Sequence, residues 1–186
     1  MGQAKQWDLG KVFETIETAG NPYATVLLAA SLLDDFLLQL LESRMIESAT
    51  TQKLLRDAEV LGSFSAKIDL AYALALIPEE VFLDLNLIRK VRNDFAHSLD
   101  HGLGFATPSV ADRIAALQIE KVLGGVLPTF RILKADVSNP SDVSRVKLIT
   151  AVGMLAEVLW YRTYMSRRPY AQPATHGLAP KGTIPY

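Results

Sequence analysis

Three polar side chains near the end of one long apolar helix pattern have the types needed for chemistry on a phosphate. They lie in the stretch "RKVRNDFAH", residues 89–97, and are Arg92, Asn93 and His97. The planar guanidinium of Arg92 could clamp a phosphate with two parallel hydrogen bonds. Histidine titrates near neutrality, so His97 could serve as general acid or base. Asn93 could orient the histidine or donate to a phosphate oxygen. With RNA as the substrate, the ribose 2′-OH would be the nucleophile and no metal would be required.

The spacing of these residues, however, separates them around the helix. At about 100° per residue, an apolar stripe is centred on Ile88. The other members of this stripe are Val81, Asp84, Leu85, Val91, Phe95 and Leu99. Arg92 falls about 40° from the centre, at the edge of the core, whereas Asn93 and His97 project from the far side. About 140° therefore separates Arg92 from His97, and a compact pair requires local unwinding near Ser98 or a second subunit.

A structural role accounts for the same residues. Arginine and histidine in the last turn of a helix complement its dipole and bind its free carbonyl groups. Asp94 and Asp100 could neutralise Arg92 and His97. By spacing alone, this structural role is favoured over a catalytic one.

Further polar candidates are Asp34, Asp35 and Lys67. The two carboxylates are adjacent and point about 100° apart, which makes them a poor metal dyad. A salt bridge with Lys67 or Arg92 is the favoured role for them. His101 lies four residues after His97, but the glycines that follow indicate that the helix has ended, and no third ligand is spaced nearby. We therefore predict no metal and no cofactor.

Composition favours a folded protein that has no long-range attraction for nucleic acid. The 186 residues are 49% hydrophobic and 21% charged, with 19 basic and 20 acidic side chains and a net charge of −1. A nearly neutral surface needs a local patch to bind nucleic acid. There is no cysteine, which excludes disulfides and thiolate chemistry. The N-terminal residues lack the apolar core of a signal peptide, so a cytoplasmic protein is expected.

The apolar periodicity is helical almost throughout and predicts an all-α, single-domain bundle of about six or seven helices over residues 1–165. Residues 166–186 contain four prolines and no acid, and we expect a flexible, mildly basic tail. The predicted helices span about 8–19, 23–45 and 49–60, then one opened by Ser63 or Ser65 that runs to 77, and one over 78–98. They are followed by one capped by Ser109 and one from Ser141 or Asp142. The second helix is apolar enough to suggest a membrane span, but the central Asp34 and Asp35 favour a core helix and no membrane contact.

Two other patterns have competing interpretations. Residues 51–74 could form a helix-turn-helix, yet the second helix would offer only Lys67 to DNA, so a core helix pair is favoured. In the predicted helix within residues 63–77, Phe64, Ile68, Tyr72 and Leu76 are expected to share one apolar stripe. In the last helix, the aromatic side chains at 160, 161 and 164 are expected to make core or dimer contacts rather than a base-stacking platform.

The segments "LGSFSAKIDLAYALALI" (61–77) and "LNLIRKVRNDFAHSLD" (85–100) resemble the bacterial mannitol operon repressor family, also called MtlR or MltR. The similarity extends over residues 23–159 and includes the Gly62–Ser63 turn with Lys67, and Arg145 three residues before Leu148. The resemblance implies an all-α bundle that regulates sugar-alcohol uptake genes without a standard DNA-binding motif. It does not imply that mannitol is the signal.

The shorter segment "RNDFAH" (92–97) resembles the motif of HEPN domains, in which arginine and a polar residue precede a histidine. This second resemblance implies a helical, commonly dimeric protein that is a metal-independent endoribonuclease or an RNA-binding module. Arg92, Asn93 and His97 would hold the motif positions, and the sites of two subunits would meet at the dimer interface.

The combined prediction is a homodimeric regulatory protein that acts on gene expression through a protein partner or RNA. The alternative is a HEPN-type ribonuclease that uses Arg92 and His97 and leaves 2′,3′-cyclic phosphate ends. A direct DNA-binding repressor is disfavoured by the neutral charge and the absence of a recognition helix.

Overall fold

The computed structural model describes residues 9–56, 61–98, 102–119, 136 and 138–165. Within them the chain forms seven α-helices and no strand, which confirms the predicted all-α, single-domain bundle. The helices are α1 (Leu9–Glu17), α2 (Pro22–Glu42), α3 (Ala49–Arg56), α4 (Phe64–Ala73), α5 (Glu79–His97), α6 (Pro108–Ala115) and α7 (Pro140–Met165). The predicted tail at 166–186, and the positions of Leu99, Asp100 and His101, lie outside the described residues.

Helix α2 is the core helix of the bundle and packs against α1, α3, α4, α5 and α7. It begins where the side chain of Asn21 accepts a hydrogen bond from the backbone N–H of Ala24, at 2.8 Å, with Pro22 in the first turn. Helix α2 is long and apolar enough to cross a membrane, but 56% of its apolar 18-residue stretch is buried in the bundle. Its buried side chains are Thr25, Val26, Ala29, Ala30, Leu32, Leu33, Phe36, Leu37, Leu40 and Leu41.

Helix α5 buries the stripe that the periodicity predicts. The described members, all buried, are Val81, Asp84, Leu85, Ile88, Val91 and Phe95. Asp84 is fully buried, and its carboxylate accepts hydrogen bonds from the backbone N–H groups of Gln118 at 3.0 Å and Ile119 at 2.7 Å. A buried carboxylate is tolerated only where such donors replace water. Asp84 therefore ties α5 to the segment that follows α6.

Helix α4 ends earlier than predicted, at Ala73 instead of residue 77. The backbone N–H of Leu76 bonds to the carbonyl of Ala71 at 2.9 Å, and that of Ala75 to the carbonyl of Tyr72 at 2.8 Å. These two bonds define a Schellman end, with Ala75 in the left-handed region at φ 53°. The sequence "YALALI" contains no glycine to indicate this end, which is why the periodicity predicted a longer helix.

This early end changes the predicted apolar stripe of α4. Ile68 is fully buried, but Tyr72 is 40% exposed and stacks on Phe82, with ring centroids 4.4 Å apart. Leu76 lies beyond the helix, so the prediction that these side chains share one stripe is wrong. In α7, Trp160 and Tyr161 are 44% and 57% exposed. They do not belong to the core of this chain, and the dimer contact remains a prediction.

Helix α6 also begins at a different residue from the one predicted. Its N-cap is Thr107, and Pro108 occupies the first turn, where a missing N–H costs nothing. The cap proposed at Ser109 is therefore wrong. The hydroxyl of Thr107 accepts a hydrogen bond from the backbone N–H of Gly104 at 3.0 Å and so stabilises the loop before the helix.

The left-handed Ala75 gives the first prediction. Replacing Ala75 with glycine removes the steric cost of Cβ at positive φ, and we expect the free energy of unfolding to rise by about 0.5–1 kcal/mol. Urea denaturation followed by circular dichroism measures this change. The matched control is Ala73→Gly, two residues earlier in right-handed helix, which should lower stability. Destabilisation by Ala75→Gly would contradict the left-handed end of α4.

Candidate functional site

Helix α5 carries the three candidate catalytic residues and stays helical through His97. One terminal nitrogen of Arg92 (Nη1) donates to Oδ1 of Asn93 at 3.1 Å. His97 is exposed and has no hydrogen-bonding or ion-pair partner in the part of the chain that the structure describes. Because the helix does not unwind before His97, the separation of about 140° between Arg92 and His97 persists. One chain brings Arg92 and Asn93 together and leaves His97 on another side of α5.

The side chain of Arg92, which the helical wheel placed at the edge of the core, is exposed. Helix α4 packs against α5 and begins only at Phe64, beside the last turns of α5. At that point a half-open cleft of about 160 Å³ separates the two helices. The cleft is lined by Ser63, Phe64, Ser65, Arg89, Arg92 and Asn93.

Two neutral amides hold the guanidinium groups of the cleft. Nε of Arg89 donates to Oδ1 of Asn86 at 3.2 Å, as Nη1 of Arg92 does to Asn93. In the described residues, no carboxylate forms an ion pair with either arginine. The cleft is therefore positively charged, and its chemistry is that of an anion-binding site.

Two of the residues that line this cleft, Arg92 and Asn93, were candidate site residues by sequence. Arg89, Ser63 and Ser65 were missed as site residues. A signal for Arg89 was present, because residues three apart on a helix are neighbours on its surface. Ser63 and Ser65 were the two residues expected to open this helix, and it is the side chain of Ser63 that accepts from the backbone N–H of Ala66 at 3.1 Å. The position of Ser63 opposite two arginines could not be predicted, because it depends on how α4 packs on α5.

Tyr23 anchors the end of α5. Its hydroxyl donates to the carbonyl of Ser98 at 2.8 Å and accepts from the backbone N–H of Leu103 at 3.3 Å. Its ring packs edge-on against Phe95, with centroids 5.0 Å apart and planes at 84°. The start of α2 thereby fixes the direction in which α5 ends, a role that the sequence did not indicate.

Asp94 pairs with Arg113 of α6. The expectation that Asp94 neutralises Arg92 or His97 is therefore wrong, and its carboxylate instead joins α5 to α6. This pairing removes the nearest carboxylate in sequence from Arg92 and so preserves the positive charge of the cleft.

Lys67 and Asp34 form the salt bridge that the sequence favoured. The ammonium group of Lys67 donates to both carboxylate oxygens of Asp34, at 2.8 and 2.9 Å, and joins α4 to α2. Lys67 is buried, as are Ile68 and Ala71 on the same helix. The one cation that a recognition helix would have offered to DNA is therefore committed to the core, which argues against a helix-turn-helix.

The start of α7 contains the ion pair of Arg145 and Asp142, whose N···O distance is 3.0 Å. The backbone N–H of Asp136 donates to Asp142 at 2.7 Å, and this bond together with Arg145 lowers the pKa of that carboxyl below its usual value. Arg145 also donates to the carbonyl of Glu17 at 3.4 Å. Its role is to join α7 to α1, away from the cleft.

No protein-family model and no curated protein sequence matches this chain. Solved structures do match. A chain of the MtlR–HPr complex from Escherichia coli has a TM-score of 0.60 and 17% identity, covering 80% of this chain and 96% of that one. A possible transcriptional regulator, YggD from Shigella flexneri 2a strain 2457T, has a TM-score of 0.60 and 17% identity, covering 83% and 98%. These similarities confirm an all-α fold of the MtlR type, whereas the HEPN resemblance remains a prediction.

The Asp34–Lys67 bridge gives the second prediction. Asp34→Asn keeps the shape of the side chain but leaves the buried ammonium of Lys67 without a counter-charge. We expect a loss of about 1–3 kcal/mol in the free energy of unfolding, below the value for a fully buried pair because Asp34 is 31% exposed. Asp69→Asn, at an exposed carboxylate on α4, is the control and should change stability by less than about 0.5 kcal/mol. Equal effects of the two substitutions would show that the bridge does not stabilise the bundle.

Proposed function

We propose that this chain is a homodimeric regulatory protein that acts on gene expression by binding a protein partner or RNA, without a standard DNA-binding motif. The observation that carries this proposal is the fold. One protein with the same fold was crystallised with the protein HPr, and another is described as a possible transcriptional regulator. Fold alone does not fix function, so the proposal also depends on the surfaces that this chain presents.

Those surfaces favour contact with a partner over direct reading of DNA. The net charge is −1, and Lys67, the only cation that α4 would offer to DNA, is buried in a salt bridge. Polar side chains of the second half of α5 instead line a small cleft beside the first turn of α4. A compact, charged feature of this kind suits recognition of one group on a partner.

The third prediction tests regulation in the native host. Deleting the gene should change the transcript levels of a small set of genes, and the wild-type gene should restore them. Arg92→Glu reverses the charge of the cleft and should fail to restore them. Lys90→Glu is the control, because it makes the same charge change at an exposed neighbouring position outside the cleft. Unchanged transcripts after deletion would contradict the proposal, and retardation of operator DNA by the purified protein at physiological salt would favour a direct repressor.

A second candidate function is a HEPN-type ribonuclease. The observation that favours it is the hydrogen-bonded Arg92–Asn93 pair on the same helix as an exposed His97. Arg92 would bind the phosphate, His97 would move the proton of the 2′-OH, and Asn93 would orient the phosphate-binding arginine. Because about 140° separates Arg92 from His97 on one helix, this function requires the His97 of one subunit to meet the Arg92 of another.

The fourth prediction separates these two functions. Purified protein is incubated with structured and single-stranded RNA in chelator, alongside Arg92→Ala, His97→Ala and the control Lys90→Ala. A regulatory protein leaves the RNA intact in every case. Cleavage that leaves 2′,3′-cyclic phosphate ends, persists in Lys90→Ala and is lost in the other two variants would establish the nuclease. Mixing the two inactive variants would then restore part of the activity if the site is shared between subunits.

A further inference from the structure

We propose that the cleft between α4 and α5 is a binding site for a single phosphate monoester group, held by the guanidinium groups of Arg89 and Arg92. This site goes beyond the proposed regulatory function and does not rest on it. The pair of arginines carries the inference. Their charge, orientation and surroundings each point to a small anion of high charge.

Among the described residues, no carboxylate forms an ion pair with either positive charge of the cleft. Arg89 is half-buried. The neighbouring carboxylate of Asp94 is occupied by Arg113. Two guanidinium groups that line one cleft repel each other unless an anion lies between them. An anion in the cleft would therefore gain attraction from both and remove their repulsion.

The guanidinium groups are held in place before any ligand arrives. The amide of Asn86 donates to the carbonyl of Phe82 at 3.1 Å and uses its oxygen to hold Nε of Arg89. Asn93 holds one nitrogen of Arg92 in the same way. In the described residues, each guanidinium keeps terminal N–H groups that have no acceptor. Side chains that are already ordered lose less entropy when a ligand binds.

The opposite wall adds neutral donors. Ser63 and Ser65 line the cleft at the first turn of α4. The hydroxyl oxygen of Ser63 accepts a hydrogen bond from the backbone N–H of Ala66. The first N–H groups of a helix have no partner within it, which adds a weaker positive potential. The two guanidinium groups and the two serine hydroxyl groups offer more hydrogen-bond donors than the two oxygens of a carboxylate can accept. The three terminal oxygens of a phosphate monoester match them better.

The charge distribution also favours a monoester over the backbone of a nucleic acid. Affinity for a backbone increases with the number of phosphates that cations neutralise along it. Here two cations that have no ion pair among the described residues line one cleft of about 160 Å³, while the net charge of the chain is −1. A monoester places nearly two negative charges at one point, which is the arrangement that this cleft matches.

The fifth prediction is tested by NMR on the full chain, following the Nε–Hε resonances of its arginines during titration with inorganic phosphate. We expect saturable shifts at Arg89 and Arg92 with a dissociation constant on the order of 1 mM. Arg89→Gln and Arg92→Gln should each weaken binding at least ~10-fold, because each removes charge-assisted hydrogen bonds. Lys90→Gln should change it less than about 2-fold. Arg89→Lys and Arg92→Lys keep the positive charge but lose the planar guanidinium group, so each should weaken phosphate binding to an intermediate degree.

Three outcomes would overturn the site: no saturable shift, shifts spread over other arginines, or equal weakening by Lys90→Gln. Melting temperatures of all variants identify any loss that is due to unfolding, and the lysine variants keep the test valid if a glutamine variant unfolds.

A tripeptide with a central phosphoserine separates the sources of the phosphate. Tighter binding of the tripeptide would assign the group to a modified protein partner, and weaker binding would assign it to a small molecule. A 5′-hydroxyl RNA, which contains only diesters, would overturn the monoester if it bound more tightly through the same arginines.

Discussion

The side chains of α2 are apolar around most of the helix, so this helix is stable in water only when other helices cover it. Ten of its residues are buried, and five of the other helices that the structure describes pack on it. Each large apolar side chain that is removed from water contributes roughly 1.5–3 kcal/mol, so the arrangement of the other helices follows from covering α2. Asp34 and Asp35 interrupt this apolar surface, and the buried ammonium of Lys67 compensates for Asp34. The apolar residues thus decide that α2 is central, and the salt bridge specifies how α4 lies against it.

Both walls of the cleft are attached to this central helix. Lys67 joins α4 to the middle of α2 through Asp34, and Tyr23, at the start of α2, joins the end of α5 through Ser98. The apolar stripe of α5 faces the core, so its arginines lie beside the first turn of α4 rather than against the core. The position of the cleft is therefore a consequence of packing on α2. A disturbance of Asp34 or Tyr23 should reach the cleft without touching its lining.

Much of the fold could be predicted from periodicity, because the apolar stripe of α5 and the long apolar run of α2 are local patterns. Helix ends were harder to predict. The end of α4 uses an alanine in a left-handed conformation where glycine is usual, and α6 begins at Pro108 after a threonine whose side chain bonds to the loop. The cleft could be predicted only in part. Arg92 was identified by its residue type, but the cleft also needs Arg89 and Ser63, and their approach depends on where α4 begins beside α5. Sequence spacing contains no such long-range information.

The central claim is that packing on α2 orients Arg89 and Arg92 toward one anion and leaves His97 of the same chain outside the cleft. A crystal structure of the protein grown in inorganic phosphate tests this claim most directly. The account predicts tetrahedral density between the two guanidinium groups and the first turn of α4, with α5 helical through His97 and its imidazole elsewhere. Density bound by Arg92 and His97 of one chain, or carboxylates paired with both arginines and an empty cleft, would contradict it.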